Sequence, residues 1–177
     1  MNVMENVNMN KIKIVLRDVN CMPVKAHNDD AGYDLKSMNE YEVNPGEQVL
    51  VDAGINIKLP DDDNYIYEAQ IRPRSGLALK KGITITNSPG TIDQSYIGNI
   101  GVIIRNTGKE IFKINKYDRI AQMVINKLPK TEFEIVDSLE DTNRGQNGFG
   151  SSGHWKKNQK IAGCFSFIEK LEGKTNQ

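Results

Sequence analysis

Short runs in which apolar and polar residues alternate recur along most of the chain, and they constrain its fold more than any other feature. One run, at residues 48–59, places Ile55, Ile57 and Leu59 on the same side of an extended segment. Turn signals built on proline and glycine separate these runs. Many short strands with such punctuation predict an all-β sandwich or closed barrel. The other expected strands cover residues 11–16, 65–71, 111–114, 120–125 and 132–136.

The stretch from residue 83 to residue 105 joins two alternating runs through a proline–glycine turn at residues 88–90. It holds one carboxylate, Asp93, and one tyrosine, Tyr96, with glycines close by at positions 90, 98 and 101. Glycine near such side chains lets a flat ligand lie against the backbone. The alternative is an ordinary hairpin in which Asp93 accepts turn hydrogen bonds.

The one good internal helix candidate covers residues 75–80, with Ser75 as its N-cap and Gly82 as its stop signal. A helix that begins there would present free N–H groups to an anion, and Arg74 would add a fork of donors suited to phosphate oxygens. The alternative is a capped helix with a solvated arginine.

Composition limits the classes of protein to which the chain can belong. The 177 residues make about one domain, and 23 basic residues balance 23 acidic ones, which argues against a nucleic-acid binder. Cys21 and Cys164 are too few for a disulfide framework, and no Cys or His cluster has zinc spacing. No membrane span or signal core is expected, so we expect an intracellular, cytoplasmic protein.

Five short segments carry most of the glycines and polar residues that suggest a site. They are residues 31–35 (AGYDL), 73–77 (PRSGL), 90–98 (GTIDQSYIG), 119–122 (RIAQ) and 144–153 (RGQNGFGSSG). In this order they resemble the signature motifs of the deoxyuridine triphosphatases (dUTPases), which cleave dUTP to dUMP and pyrophosphate. The resemblance covers roughly residues 12–153.

This resemblance implies a jelly-roll-like β-sandwich or barrel with one short helix. It divides the chain into a flexible N-terminus (1–10), a β domain (11–140), a glycine-rich arm that closes the active site (141–153) and an atypical extension (154–177). The implied activity is Mg²⁺-dependent dUTP hydrolysis, which limits uracil incorporation into DNA and supplies dUMP for thymidylate synthesis. Most dUTPases with these motifs are homotrimers whose active sites each draw on three subunits.

The resemblance also implies catalytic roles. Asp93 is the expected general base, which takes a proton from the water that attacks the α-phosphorus. Gln122 is expected to contact the α-phosphate and help hold that water. Asp34 is expected to orient metal-bound water or a neighbouring site residue, with Mg²⁺ held mainly by the substrate phosphates. Arg119 is assigned to a structural ion pair.

The expected substrate-binding residues fall into three groups. By resemblance, Arg74, Ser75 and Gly76 contact the phosphate chain. Asn87 and the backbone near Ile100 read the uracil, while the Tyr96 ring lies against the sugar and rejects a 2′-hydroxyl. The arm closes over the nucleotide, with the Phe149 ring on the base. Its other expected ligands are Arg144, Gly150, Ser151 and Ser152.

Two departures from the family pattern stand beside the tyrosine. Gln94-Ser95 replaces a small-plus-acidic pair, and Ile97 replaces a commonly polar residue. The nearest rival interpretation is a dCTP deaminase-type enzyme of the same superfamily, which the complete arm disfavours. A second rival is a regulatory binding protein that engages a partner through residues 154–177, where a short amphipathic helix and a strand compete.

Overall fold

The computed structural model describes residues 11–143, 145 and 146. The chain divides into two units, residues 1–132 and residues 133–177. All the regular elements described below lie in the first unit. The expected N-terminal flexibility, the extension at 154–177 and most of the glycine-rich arm lie outside the described residues.

The described part of the first unit contains ten strands and one α-helix. In chain order they are β1 (Lys13–Leu16), β2 (Gly32–Lys36), β3 (Tyr41–Val43), β4 (Gln48–Lys58), β5 (Tyr65–Arg72), α1 (Ser75–Lys81), β6 (Ile83–Ile85), β7 (Gly90–Ile92), β8 (Asn99–Asn106), β9 (Phe112–Ile114) and β10 (Arg119–Pro129). A single 3₁₀ turn, Val19–Cys21, follows β1.

The strands form two four-stranded sheets and one two-stranded sheet. The first sheet has the order β1-β4-β8-β6, the second β2-β10-β5-β7, and β3 pairs with β9; these strand pairs are antiparallel. The core lies on the inward faces of these strands, where alternate residues such as Ile55, Ile57, Ile100, Val102 and Ile104 are buried. The prediction of an all-β, jelly-roll-like sandwich with one short helix is confirmed.

Helix α1 begins differently from the prediction. Arg74 occupies the N-cap with an extended backbone and makes no capping side-chain hydrogen bond, so the assignment of Ser75 as N-cap is wrong and Ser75 is the first helical residue. The stop signal is where it was expected. Gly82 takes a left-handed conformation at φ 66° and its N–H donates to the Ala78 carbonyl, a conformation that costs a residue with a Cβ more than it costs glycine.

The stretch from residue 83 to residue 105 is not one hairpin. Strand β6 pairs with β8 in the first sheet, whereas β7 leaves that sheet and pairs with β5 in the second. The chain crosses between the sheets at the Ser88–Pro89 peptide, which is cis. The stretch therefore connects the two sheets, and Asp93 follows directly after the last residue of β7.

One expected strand is absent. Beyond Pro129, the described part of the chain contains no strand, so the strand expected at residues 132–136 is wrong. Phe133 and Ile135 alternate as a strand would, yet both residues are almost fully exposed. Alternation stabilises a strand only where a neighbouring edge pairs with it and a core covers one face. No helix among the described residues is long and apolar enough to cross a membrane.

Candidate active site

Asp34 holds two arginines that come from distant parts of the chain. The Arg74 Nε lies 2.9 Å from Asp34 Oδ1, and Arg119 Nη1 donates to Asp34 Oδ2 at 3.1 Å. Arg74 Nη1 also donates to the Arg119 carbonyl at 3.1 Å. The Asp34 side chain is only 15% exposed, so these pairs are partly shielded from water. The ion pair expected of Arg119 is present, and Asp34 is its acceptor.

Gln122 lies on β10, which pairs with β2 on one side and β5 on the other. Its Cα is opposite Asp34 on one side and Arg72 on the other. Its Nε2 donates to the Pro73 carbonyl at 2.9 Å. Because that carbonyl can only accept, the orientation of the Gln122 amide is fixed, with Oε1 directed away from it. A polar side chain in this apolar strand therefore has a partner, and no other described residue takes its acceptor or its second N–H.

These residues line a concavity of about 580 Å³, which we call the arginine concavity. Five residues expected at the site meet there: Asp34, Arg74, Ser75, Gly76 and Gln122. The structure adds Arg119 and Lys80 to the lining of this concavity, and Lys80 is exposed. Helical spacing could have found Lys80, because residues four apart, such as Gly76 and Lys80, share a face.

A second concavity of about 270 Å³ contains three other expected residues, Asn87, Asp93 and Tyr96, and we call it the tyrosine concavity. The Tyr96 hydroxyl donates to the Asn99 carbonyl at 2.9 Å. A Cβ at Gly98 would lie 2.5 Å from that hydroxyl, so only glycine leaves room for the ring. The ring is thus held at one end while 44% of the side chain stays exposed.

The Asp93 carboxylate is exposed, and among the described residues no side chain is hydrogen bonded or ion paired to it. Its backbone is better held, because the Tyr96 N–H donates to the Asp93 carbonyl at 3.0 Å. Ile100 is fully buried and is not among the residues that line this concavity. Sequence reasoning missed Asn99, whose Oδ1 accepts from Asn56 Nδ2 at 3.1 Å.

The two concavities are separate within one chain. Gln122 lies opposite Arg72 of β5, and Asp93 follows Ile92, which lies opposite Ala69. Asp93 is therefore about four residues along the sheet and two strands across it from Gln122. At about 3.3 Å per residue and about 4.8 Å per strand, their backbones are on the order of 16 Å apart. One water could not contact both side chains of a single chain.

Metal ligands are sparse. Over residues 11–143, 145 and 146, no group of three or more His, Cys, Asp or Glu side chains could hold an ion. Asp34 is the acidic residue expected to serve Mg²⁺, and two of its roughly four acceptor positions are taken by arginines. The residues present therefore fit an ion that arrives on phosphate oxygens and meets Asp34 only through water.

The fold and the two concavities together define the class of protein. One concavity offers cations, a hydroxyl and an oriented amide, which suit phosphate oxygens. The other offers an aromatic ring, an amide and a free carboxylate, which suit a nucleoside. This is a β-sandwich protein built to bind a nucleoside phosphate.

The dUTPase family model matches residues 20–153, and the chain belongs to that family. A deoxyuridine 5'-triphosphate nucleotidohydrolase from Gloeothece citriformis is 50% identical over 144 residues, 81% of this chain and 97% of that one. Another from Alkaliphilus metalliredigens is 52% identical over 132 residues, 75% of this chain and 89% of that one.

Solved structures agree with this assignment. The Staphylococcus bacteriophage 80alpha dUTPase with dUpNHpp is 28% identical, with a TM-score of 0.73 over 82% of this chain and 100% of that chain. A dUTPase mutant from phage phi11, whose structure details the coordination of a structural Mg(II) ion, is 25% identical, with a TM-score of 0.66 over 75% and 100%. The roles expected of Arg144, Phe149, Gly150, Ser151 and Ser152 lie outside the described residues.

Proposed function

We propose that the chain is a dUTP diphosphatase, which hydrolyses dUTP to dUMP and pyrophosphate by attack of water on the α-phosphorus. The observation that carries the proposal is the arginine concavity, where Asp34, Arg74 and Gln122 meet from three distant segments. Hydrolysis of a phosphoanhydride depends mainly on neutralising oxygens and positioning a water. This concavity offers groups for both tasks.

Arg74 binds the phosphate chain with its remaining donors. One of its five N–H groups donates to the Arg119 carbonyl from Nη1, and Nε is in ion-pair contact with Asp34. The other three, with the Ser75 hydroxyl and the Gly76 N–H, are available to phosphate oxygens. Since Asp34 fixes the guanidinium through Nε, the fork needs little reorganisation when the nucleotide arrives.

Gln122 and Asp93 act on the water. The free N–H of the Gln122 amide donates to an α-phosphate oxygen, and its Oε1 accepts from the attacking water. Asp93 takes the proton as the new P–O bond forms and the bond to pyrophosphate breaks. Asp93 is suited to this role because no described side chain forms a hydrogen bond or an ion pair with its carboxylate.

Mg²⁺ supplies positive charge against the phosphates when it is bound. Asp34 can reach such an ion through water with the acceptor positions that its arginines leave open. The protein side chains then keep the roles already described, which are to bind and orient the phosphate chain.

Substrate selection takes place in the tyrosine concavity. Asn87 and the backbone beside Ile100 read the uracil edge. The Tyr96 ring is pinned by its hydrogen bond to the Asn99 carbonyl, so it lies against the sugar and leaves no room for a 2′-hydroxyl.

The working form is a homotrimer with shared sites. The support is the separation of about 16 Å between Asp93 and Gln122 within one chain, which an assembly removes if one copy supplies the tyrosine concavity and another the arginine concavity. The glycine-rich arm with Arg144 and Phe149 comes from a third copy.

The direct test of this mechanism is the variant Asp93→Asn. Its turnover should fall by roughly 10²–10⁴-fold with little loss of nucleotide binding, because the general base is removed and the binding groups remain. Steady-state pyrophosphate release gives kcat, and calorimetry with dUpNHpp gives the affinity. Near-normal turnover in Asp93→Asn would show that another group takes the proton.

A second role is proposed for residues 154–177, which the family match to residues 20–153 leaves unexplained. We propose that this extension binds a protein partner. Deleting residues 156–177 should abolish that interaction while dUTP hydrolysis persists. Loss of hydrolysis on deletion would instead assign the extension to the active site.

A further inference from the structure

Strand β7 stops one residue before Asp93, and a side chain continues its pairing. In the β5–β7 ladder, Ile71 faces Gly90 and Ala69 faces Ile92. Two residues further in the same register, Tyr67 of β5 would face residue 94. The backbone has by then turned away, since the Tyr96 N–H donates to the Asp93 carbonyl.

Gln94 fills the position that the backbone leaves. Its Oε1 accepts from the Tyr67 N–H at 2.7 Å. A backbone N–H can only donate, so the amide oxygen must face Tyr67 and the amide nitrogen must face the other way. That nitrogen donates to Asp61 Oδ1 at 3.3 Å. Hydrogen bonds from Lys58 and then from Gln94 lower the pKa of Asp61, which keeps its carboxylate an acceptor.

We infer that Gln94 is a positioning residue for Asp93: its amide clamps the loop that carries the base to β5 and to the loop before it. The inference rests on the proposed function, because it assumes that Asp93 accepts the proton. Asp93 itself has no side-chain partner in the described part of the chain, so its place depends on its neighbours. Residue 94 is also where this chain departs from the small residue that its family often has.

Two variants distinguish the effect of the Gln94 hydrogen bonds from the effect of its side-chain size. Gln94→Met keeps the length of the side chain and removes both hydrogen bonds. The double variant Gln94→Glu/Asp61→Asn keeps an acceptor for the Tyr67 N–H and exchanges the donor and acceptor at the outer contact. Asp61→Asn alone is the matched control. The Asp61 side chain that Lys58 and Gln94 contact is 75% exposed, so loss of its charge should have little effect. Asp93→Asn is measured alongside.

The measurements are kcat and KM for dUTP, the affinity for dUpNHpp and the Tm of each full-length variant. For Gln94→Met we expect kcat to fall about 10–100-fold while KM and the analogue affinity stay within about threefold, because a small misplacement of the base affects the reaction more than binding. The double variant should recover kcat to within about threefold of the wild type, and Asp61→Asn should stay within the same range.

The possible outcomes distinguish failure of the clamp from failure of the assignments on which it rests. If Gln94→Met keeps wild-type kcat while Asp93→Asn is inactive, the clamp is refuted and the proposed base stands. If kcat and KM deteriorate together with Tm, or the double variant does not recover, Gln94 is only structural and the inference is overturned. If Gln94→Met does not fold, the double variant against Asp61→Asn still decides, since failure to recover kcat refutes the clamp. If Asp93→Asn is fully active, Asp93 is not the base and the clamp loses its premise, whereas absence of dUTP hydrolysis by the wild type would refute the proposed function itself.

Discussion

At the scale of single residues, the most informative side chain is Asp34. The motif that contains it suggested a role towards metal, whereas the structure shows it bracing Arg74 and Arg119. Both roles can coexist, because a carboxylate accepts more than two hydrogen bonds. In the proposed mechanism, Asp34 therefore acts first by fixing the direction of the Arg74 guanidinium.

Replacing Asp34 by Asn tests this bracing. An amide would present N–H groups to one of two guanidinium groups, so Arg74 should lose its fixed orientation. We expect KM for dUTP to rise about tenfold, the size of one charge-assisted hydrogen bond. Arg119→Met is the control: it removes the other ion pair and leaves the Arg74 contact, so its KM should change by less than about threefold. Equal KM values for both variants would contradict the bracing role.

Asp18 predicts a pH-dependent stability away from the site. The Tyr117 hydroxyl, which donates to Asp18 Oδ2 at 2.6 Å, is the main reason that the pKa of Asp18 is lowered to about 2. A depressed carboxyl pKa stabilises the fold above the unfolded value of about 4, and this contribution is lost as the pH falls towards the folded value. Tyr117→Phe should therefore lower Tm near neutral pH, and the difference from wild type should shrink as the pH falls below about 4. A difference that is constant with pH would contradict this cause.

At the scale of elements, the strands were largely predictable and the contacts at their ends were not. Alternation located β4, β5 and β8 because each buries one face. It failed at residues 132–136, where the same period lacks a partner strand among the described residues. Asp34 and Arg119 are 85 positions apart, so no local spacing reveals their pairing. The side-chain amide of Gln94 replaces a backbone hydrogen-bond acceptor, and secondary-structure propensities do not predict such a replacement.

Helix α1 depends on the residue that ends it. Gly82 has φ 66°, and a Cβ there would lie 2.8 Å from the Gly108 nitrogen. Gly46 has φ 80° with nothing within 4 Å of a built Cβ, so it is a matched control. Gly82→Ala should lower the free energy of unfolding by about 2–4 kcal/mol, against about 1 kcal/mol for Gly46→Ala. Urea unfolding measures both, and equal losses would show that the close approach at Gly82 is relaxed at no cost.

At the scale of the whole molecule, activity should depend on contact between copies. The mass from light scattering should be three times that of the chain, and a monomer would count against the shared site.

Asp93→Asn and Gln122→Ala should each be inactive alone. If the two residues of one site come from different copies, co-refolding equal amounts should restore about a quarter of wild-type activity, since random assembly leaves that share of sites intact. No recovery in mixed trimers would place both residues of a site in one chain.

We expect the two concavities together to select and hydrolyse dUTP. The most direct measurement is pyrophosphate release from dUTP, dCTP, dTTP and UTP with Mg²⁺, with the nucleoside products separated by chromatography. We predict rapid formation of dUMP from dUTP and little turnover of the other three. Absence of turnover by a folded trimer that binds dUTP would rule out the hydrolysis, and equal turnover of all four nucleotides would rule out the selection.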